Sequence, residues 1–275
     1  MLFPMRDFDL SAYLRRIGLA PVAATPEGLR TLQTAQLRAL PFESIDPYLG
    51  RLPATDLPAI AAKIVTGGRG GYCFELNALL HAAMQALGFA PRRHLARVRK
   101  GLPRGGPRSH LMMTCRLDGE TWLADAGCGG PGPLVPLRAD EDAPQQAPNG
   151  RYRLWTDAAT GERVLDKETG DGWFPLYGFD AAHVGDMDIE AANYICATWS
   201  AMPFPNHLML AGFDGDTRIG LFDRQLTLGT RAGETREELA DADAFAALAS
   251  GRLGLRLDDT ELAAIWNRLS RTDGR

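Results

Sequence analysis

The sequence lacks most of the signatures that mark specialised classes of protein. Its four cysteines form no C-x-x-C pair, and a chain of 275 residues is too long to depend on a disulfide scaffold. We therefore expect free thiols in a reducing, cytoplasmic setting. No H-E-x-x-H, Walker or G-x-G-x-x-G signature is present. Their absence argues against a metal centre or a nucleotide cradle of those kinds, and we expect no metal cofactor.

Charge and hydropathy argue against two further classes. The 30 Lys and Arg residues are balanced by 34 Asp and Glu residues, for a net charge of −4. Because no basic block is available to neutralise a phosphate backbone, we do not expect nucleic acid as a partner. No apolar run approaches the roughly 18 residues that a membrane span needs. The first ten residues contain acids and no long apolar core, so we expect neither a membrane span nor a secretory signal.

Hydrophobic periodicity predicts that the first third of the chain is helical. Apolar residues from Leu10 to Ile17 recur along one helix face, and Gly18 ends that run. A capping residue followed by proline marks the start of a second helix at Thr25. Further helices are predicted over 57–65 and from Cys73 to Gly88.

The middle third changes to strand-like patterns, and the last third mixes strands with helices. Asp118-Gly119, between two strand-like runs, is a strong hairpin signal. Residues 127–150 are rich in Gly, Pro and Ala and contain no clear element. A loop of that length inside a compact protein is typically functional. The predicted strands cover 94–99, 111–117, 120–125, 151–155, 162–166, 207–213, 217–222 and 225–230, and the later helices cover 241–250 and 259–270.

The segment GGRGGYCFELN contains the most distinctive candidate nucleophile, Cys73. Four glycines within 67–71 cannot form a stable helix interior, so they predict a tightly turning approach to a helix that starts near Cys73. Unpaired N–H groups and the helix dipole favour negative charge at such a start. We therefore expect a lowered thiol pKa, to which Arg69 adds, and amides suited to an oxyanion. The alternative is that Cys73 is only a small buried residue.

Two residues of the predicted hairpin supply a base and its partner. His110 opens the strand HLMMTCRL, and Asp125 closes the strand ETWLADAG. If the turn contains two residues, Leu117 pairs with Glu120, and His110 and Asp125 become diagonal neighbours about 7–8 Å apart on one face. A histidine held by a carboxylate presents its other nitrogen as a base of fixed tautomer, which a thiol nucleophile needs. Taken singly, each residue also fits a purely structural role.

Other histidines and cysteines are weaker candidates. We can assign no carboxylate partner to His183 or His207 from the sequence. Cys115 and Cys196 lie in apolar, strand-like surroundings and are predicted to belong to the core. Cys128, within AGCGG, is the rival thiol, because a glycine-rich loop is typically exposed.

Together these segments resemble those of the arylamine N-acetyltransferases. RGGYCFELN resembles that family's nucleophile segment, SHLMM its histidine segment and LADAGCGG its aspartate segment, in the same order and at similar spacing. LPFESIDPYLG resembles its PFEN-type segment, and YLRRIGL resembles its opening. The resemblance covers most of the chain and is weakest after about residue 200.

The resemblance implies an α+β fold of three parts around a cysteine-protease-like Cys-His-Asp core. These are an N-terminal helical bundle (1–90) that carries the nucleophile, a central antiparallel β-barrel (91–190) that carries His and Asp, and a C-terminal α/β lid (191–275). It also implies acetyl-CoA as donor, arylamines or hydrazines as acceptors, and a ping-pong mechanism. Cys73 is then the acetylated nucleophile, His110 its base and Asp125 the orienting acid.

Binding residues follow from the resemblance by position alone. Two positions depart from the family pattern: Ser44 replaces the usual Asn of the PFEN-type segment, and Cys128 replaces the usual Phe of the VGFG segment. A missing ring at Cys128 implies a wider pocket. The implied acceptor-pocket residues are Phe42, Tyr72 and Phe204, and the implied cofactor-binding residues are Ser109, Gly127, Gly129 and Gly130.

Three other functions stay open at this point. An amide synthase of the same fold would act on a thioester-bound biosynthetic intermediate, and substrate assays would identify it. A cysteine hydrolase or thioesterase with the same triad would release free acid without any amine. A binding module without catalysis has no need of Cys73, His110 and Asp125 together. The sequence does not indicate an oligomeric state.

Overall fold

Eight α-helices and thirteen β-strands make up the described part of the chain, which in this computed structural model covers residues 8–100, 102, 104–230 and 232–272. No helix in these ranges is both long enough and apolar enough to cross a membrane. The helices are α1 (Leu10–Ile17), α2 (Pro26–Ala39), α3 (Ile45–Tyr48), α4 (Leu57–Ala61), α5 (Cys73–Ala86), α6 (Asp186–Thr198), α7 (Ala242–Ala246) and α8 (Asp259–Thr272); π-helical turns at Ala62–Thr66 and Ala247–Arg252 extend α4 and α7. The strands are β1 (Phe42–Glu43), β2 (Pro91–Val98), β3 (Arg108–Leu117), β4 (Glu120–Ala124), β5 (Leu137–Arg138), β6 (Gln145–Ala147), β7 (Gly150–Thr156), β8 (Arg163–Thr169), β9 (Gly172–Phe179), β10 (Met209–Asp214), β11 (Thr217–Phe222), β12 (Gln225–Thr230) and β13 (Gly233–Glu238).

The first helices begin and end where the sequence supplies caps. The side chain of Asp9 accepts a hydrogen bond from Ala12 N at 2.9 Å, and that of Thr25 accepts one from Gly28 N at 3.1 Å. Each bond satisfies a backbone donor that the first turn leaves free. Gly18 ends α1 in the left-handed region, at φ +67. The predicted limits of α1 and the predicted start of α2 are confirmed.

Helix α5 lies at the centre of the first hydrophobic core. Its apolar stripe, which includes Leu76, Leu79, Leu80 and Met84, is almost fully buried against α1, α2 and the β3–β4 hairpin. Burying one such side chain contributes roughly 1.5–3 kcal/mol. The stripe therefore holds the start of α5, where Cys73 lies, on a rigid element.

An eight-stranded antiparallel sheet curves into a nearly closed barrel, in the order β5-β4-β3-β2-β9-β8-β7-β6. Within it, Leu117 pairs with Glu120 and Met113 with Ala124. The connecting Asp118 and Gly119 have φ values of +52 and +85, as a two-residue hairpin turn requires. The predicted register of this hairpin is therefore confirmed, and it brings His110 and Asp125 to the same end of the barrel.

The second sheet has five strands in the order β1-β10-β11-β12-β13, and α7 and α8 share its hydrophobic core. Strand β1 comes from the first third of the chain, and its Phe42 pairs with Ala211 of β10 and bridges to Gly71. The first and last thirds thus share a sheet. The division at residues 90 and 190 stays a prediction.

Several elements escaped the sequence analysis for physical reasons. Strand β9 contains Pro175 and Gly178, which weaken a strand signal, and β13 is exposed throughout, so it has no apolar alternation. Helix α6 carries the apolar residues Met187 and Tyr194 on its exposed side, which hides its buried stripe. The stretch 127–150, predicted to have no clear element, contains the short strands β5 and β6.

Candidate active site

Cys73 is the first residue of α5 and is 3% exposed. The glycine-rich approach is needed because the backbone passes close to its neighbours. A Cβ at Gly70 would lie 2.3 Å from the carbonyl oxygen of Pro41. The helix start is fixed by Glu75, whose Oε2 accepts a hydrogen bond from Tyr72 N at 3.1 Å. The Glu75 amide donates to the Tyr72 carbonyl at 3.1 Å, which leaves the amides of Cys73 and Phe74 at the helix start without an intrahelical acceptor.

His110 lies between the thiol and a carboxylate. Its Nε2 is 2.7 Å from Oδ2 of Asp125, and both residues are buried. The His110 ring also interacts electrostatically with the Cys73 thiol. Because Asp125 holds Nε2, Nδ1 is the nitrogen that is left to face the thiol. The structure thus brings together the three residues that the sequence analysis singled out.

The carboxylate of Asp125 accepts four hydrogen bonds, two on each oxygen. Oδ1 accepts from Asn77 Nδ2 and from Gly127 N, both at 2.9 Å. Oδ2 accepts from His110 Nε2 at 2.7 Å and from the Tyr177 hydroxyl at 2.9 Å. Burial alone would raise the pKa of Asp125, but the charge of His110 and these donors hold it below its usual value. Asp125 is therefore an ionised acceptor.

Asn77 and Gln33 hold this carboxylate segment in place. Asn77 Nδ2 also donates to the Leu111 carbonyl at 2.6 Å, and its Oδ1 accepts from Ala126 N at 2.9 Å. Gln33 Oε1 accepts from Asp125 N at 3.1 Å. The sequence analysis missed both residues, and it also missed Tyr177. Asn77 was detectable, because it lies four residues after Cys73 on the same helix face.

Burial dominates the electrostatics of the thiol. It raises the pKa of Cys73 above its usual value, and the hydrogen bond and charge of His110 oppose that rise. The lowered pKa expected from the helix start is therefore wrong for this buried site. Burial would also lower the pKa of His110, but the charge and hydrogen bond of Asp125 raise it to about 10. The carboxylate of Asp125 thus favours the protonated form of His110, which makes the ring a strong base beside the thiol.

Three aromatic rings lie against this centre. The Phe204 ring centroid is 5.6 Å from that of Tyr72 and 6.2 Å from that of Phe42. All three residues belong to or pack against the hydrophobic cluster that contains Cys73. The structure therefore groups the three residues implied for the acceptor pocket.

The loop after Asp125 passes directly over the start of α5. A Cβ at Gly127 would lie 2.7 Å from the Cα of Cys73, so only glycine allows this approach. Gly129 has φ +72 and lies against the Phe42 ring, and the Gly130 carbonyl accepts from Arg218 Nη1 at 3.1 Å. Ser109, on β3, is buried, and its carbonyl faces the Cys73 sulfur at 3.8 Å.

Known proteins are similar to this chain in sequence. A family model described as N-acetyltransferase matches residues 25–262. The chain is 36% identical over 203 residues to the arylamine N-acetyltransferase / N-hydroxyarylamine O-acetyltransferase of Salmonella typhimurium, covering 73% of this chain and 72% of that protein. It is 35% identical over 270 residues to the arylamine N-acetyltransferase of Mycobacterium bovis, covering 95% and 94%. The chain belongs to the arylamine N-acetyltransferase family.

Solved structures agree with that assignment. The arylamine N-acetyltransferase of Mycobacterium marinum in complex with CoA has a TM-score of 0.88 and 31% identity, covering 96% of this chain and 99% of that one. In a comparison of sequences alone, proansamycin X synthase of Amycolatopsis mediterranei is also similar, at 29% identity over 180 residues, covering 64% of this chain and 68% of that protein. The expected α+β fold is confirmed, and the protein is an acyltransferase.

Cys128, where the resemblance implies Phe, lies inside this acetyltransferase centre. Three possible ligand atoms, one each from Cys128, His110 and Asp125, lie within 4.8 Å of one another. Burial raises the pKa of the Cys128 thiol well above its usual value, and the charges of Asp125 and Cys73 add to that rise. The rival thiol is thus a close neighbour of the candidate nucleophile.

Arg69 does not face the thiol as expected. Its Nη2 lies 2.8 Å from Glu43 Oε1 and its Nη1 lies 3.1 Å from Glu261 Oε1. Lys63 joins the same buried network, 2.8 Å from Glu75 Oε1. Burial raises the pKa of Glu75 to about 7, although Lys63 opposes the rise. The network supports the backbone that leads to Cys73.

A second histidine–carboxylate pair lies away from this centre. His207 Nδ1 is 2.7 Å from Asp223 Oδ2, a carboxylate partner that could not be assigned from the sequence. No local pattern indicates this pair, because it forms between the loop before β10 and the turn after β11. Since all four cysteines are placed elsewhere, the pair has no thiol to activate.

Proposed function

We propose that this acetyltransferase transfers an acetyl group from acetyl-CoA to an arylamine or hydrazine through a thioester on Cys73. The observation that carries the proposal is the buried line of Cys73, His110 and Asp125, with its 2.7 Å hydrogen bond between the last two. The names of the relatives and the CoA-bound structure of the Mycobacterium marinum protein support the donor and the acceptor class.

In the first half-reaction Cys73 displaces CoA. The reactive ion pair is a Cys73 thiolate beside protonated His110, formed when the thiol proton moves to Nδ1. The sulfur attacks the acetyl carbonyl, and the oxyanion is held by the first-turn amides of α5. Collapse breaks the bond to the CoA sulfur, which takes the proton from His110. One thioester replaces another, so this step has little thermodynamic cost.

In the second half-reaction the amine takes the acetyl group. Its nitrogen attacks the Cys73 thioester while neutral His110 accepts a proton from the nitrogen. The Cys73 sulfur leaves and recovers that proton from His110, so the free thiol returns. Because both substrates react at one sulfur, CoA must leave before the amine reacts, which gives ping-pong kinetics.

The surroundings of the thiol suit acetyl transfer better than hydrolysis. The rings of Phe42, Tyr72 and Phe204 form an apolar wall beside Cys73. Such a wall binds a flat aromatic amine and keeps water from the thioester. We propose these three residues as the acceptor-binding residues.

We propose that CoA approaches over the loop that contains Gly127, Gly129 and Gly130, beside Ser109. Cations surround this loop. Lys100 and Lys167 act electrostatically on Cys128, and Arg218 contacts the Gly130 carbonyl. Phosphate groups of CoA are attracted to such a positive rim.

Free thiols support a cytoplasmic location. All four cysteines are unpaired, and acetylation requires Cys73 to be reduced. A reducing compartment is where such thiols persist.

An amide synthase is the second candidate. The similarity to proansamycin X synthase, a relative named as a synthase and not as an acetyltransferase, favours it, and so does the small side chain at Cys128, which leaves more room than a ring. It would acylate Cys73 with a large biosynthetic thioester instead of acetyl-CoA.

Intact-protein mass spectrometry after mixing with acetyl-CoA tests the proposal. We expect one added acetyl group, a burst of one CoA per site before any amine is added, and no adduct on Cys73→Ala. Cys115→Ala, which removes a buried thiol elsewhere, is the matched control and should retain the adduct. Intersecting double-reciprocal lines without a CoA burst would reject the acetyl-enzyme, and fast amine-independent CoA release would make the protein a thioesterase.

A further inference from the structure

Three metal-ligating groups converge at one point beside Cys73. In the described ranges, Cys128, His110 and Asp125 form the one group of three such residues whose ligand atoms all lie within 4.8 Å of one another. His110 and Asp125 are buried, and Cys128 is half-buried. The family resemblance assigns no such role to this position, because Phe is usual where Cys128 lies.

The distances fit a small tetrahedral cation. Zinc bonds to Cys sulfur at about 2.3 Å and to His nitrogen or carboxylate oxygen at about 2.0–2.2 Å. Two ligand atoms on one tetrahedral ion are then roughly 3.3–3.7 Å apart. The three ligand atoms lie within 4.8 Å of one another and therefore need shifts of about an ångström. If His110 Nε2 binds the cation, its 2.7 Å contact with Asp125 Oδ2 must open.

The loop that carries Cys128 is held against the barrel. The Tyr152 hydroxyl donates to the Pro131 and Gly132 carbonyls at 3.0 and 3.1 Å, and Asn149 Nδ2 donates to the Gly132 carbonyl at 2.7 Å. A Cβ at Gly132 would lie 3.2 Å from the Cys128 sulfur, so the glycine leaves space for that thiol. A thiol on an anchored loop loses little freedom when it binds a cation.

We infer that a thiophilic divalent cation such as Zn²⁺ binds to Cys128, His110 and Asp125 and reversibly blocks acetyl transfer. The binding site stands on the geometry alone, whereas the inhibition rests on the function proposed above. The chain's own departure from the family pattern creates the site.

The chemistry balances by release of protons. The Cys128 thiol loses its proton to become a thiolate ligand, and the imidazolium of His110 loses the proton from the nitrogen that binds the cation. Both protons pass to the buffer, and no bond is oxidised or reduced. A base needs one ring nitrogen free to accept a proton and the other held by Asp125. A cation bound to either nitrogen of His110 removes one of these two conditions. The thiol of Cys73 is then left without its base.

Cobalt binding tests the site without any use of activity. We expect Co²⁺ added anaerobically to the Cys73→Ala protein to give a thiolate-to-cobalt charge-transfer band and tetrahedral visible bands, both displaced by one equivalent of Zn²⁺. The band should vanish in Cys73→Ala/Cys128→Ala and persist in Cys73→Ala/Cys115→Ala. Each variant is first checked for folding by circular dichroism. A band that survives loss of Cys128, or no band in Cys73→Ala, would overturn the inference.

Inhibition is then measured on protein that retains Cys73. The rate of CoA release is recorded against Zn²⁺ concentration for wild type and Cys128→Ala, each relative to its own metal-free rate. We expect the inhibition constant to rise by at least about tenfold in the variant, since loss of even an outer partner of a metal ligand costs about 10–100-fold in affinity. A chelator should restore wild-type activity. Equal inhibition constants would mean that the metal acts on Cys73 alone and would overturn the inhibitory role.

The two proposals fail separately. If metal-free protein takes up no acetyl group from acetyl-CoA while the cobalt band appears, the proposed function is wrong and the metal site stands. If acetylation proceeds and the band is absent, the metal site is wrong and the function stands.

Discussion

Replacement of Asp125 by Asn is the sharpest test of the centre. The two side chains have nearly the same shape, but Asn replaces one acceptor oxygen with an NH₂ donor. All four groups around the carboxylate are donors: Asn77, Gly127, His110 and Tyr177. Wherever the new NH₂ points, it therefore faces two donors.

The surrounding hydrogen bonds decide the orientation of that amide. The Gly127 N–H cannot change its role. The Asn77 amide cannot turn over, because Nδ2 also donates to the Leu111 carbonyl and Oδ1 accepts from Ala126 N. The oxygen of the new side chain must therefore stay on that side, and its NH₂ must point to His110 and Tyr177. Of these two, the imidazole can become an acceptor by moving its proton, and the hydroxyl can rotate.

The expected loss follows from the tautomer. If Nε2 of His110 accepts from the new amide, the ring proton must lie on Nδ1, and the ring cannot take a proton from Cys73. In the serine protease example of the same replacement, trapping the wrong tautomer lowers kcat by about 10⁴. We expect a loss of that order in CoA release. A misplaced buried hydrogen bond also costs about 1–3 kcal/mol of folding stability.

The assay is the burst of CoA release from acetyl-CoA, with circular dichroism and urea unfolding to verify the fold. Tyr177→Phe is the matched control, because it removes one donor from Oδ2 and leaves the tautomer of His110 unchanged. We expect this control to lose far less activity than Asp125→Asn. A folded Asp125→Asn protein with a burst rate within tenfold of wild type would refute the reasoning.

Three other predictions concern charge and pocket shape. The pKa of His110 is raised from 6.5 to about 10, so its contribution to stability is complete below pH 6.5 and is lost as pH rises toward 10. Urea unfolding across that range should show this loss. The same pH dependence of the unfolding free energy in His110→Gln would contradict the prediction. Lys63→Met leaves the buried acid Glu75 without its neutralising cation, whereas Glu43 keeps Arg69. The change should lower the free energy of unfolding by about 3–5 kcal/mol, measured by urea unfolding at pH 7, and a change below about 1 kcal/mol would show that Glu75 is neutral there. Cys128→Phe should raise the ratio of kcat/KM for one-ring over two-ring amines, and an unchanged ratio would show that this position does not line the pocket.

The part of the centre that depends on local rules was predictable. The Asp118-Gly119 turn sets the hairpin register, and the register places His110 and Asp125 on one face. Glycines before Cys73 and its position at a helix start follow equally from the sequence. Each of these inferences spans only a few residues, where turn and cap chemistry are decisive.

The rest depends on contacts between distant parts of the chain. Tyr177 reaches Asp125 only because β9 returns beside β2, and the sequence of β9 hides a strand. The direction of the Cys73 pKa depends on how completely the site is buried, and the helix start alone indicated the opposite sign. The charge of Arg69 is directed to Glu261, which is far away in the sequence.

The link between Arg69 and Glu261 has a consequence for how the protein is made. Synthesis runs from the N-terminus, so residues 69–73 leave the ribosome long before α8 exists. Strand β1 also waits, because its partner β10 is made late. Until then Arg69 has Glu43 but not Glu261 as an ionic partner, and β1 lacks its sheet partner. A chain that is cut short before Glu261 should therefore hold the turn before Cys73 less firmly than the full protein does.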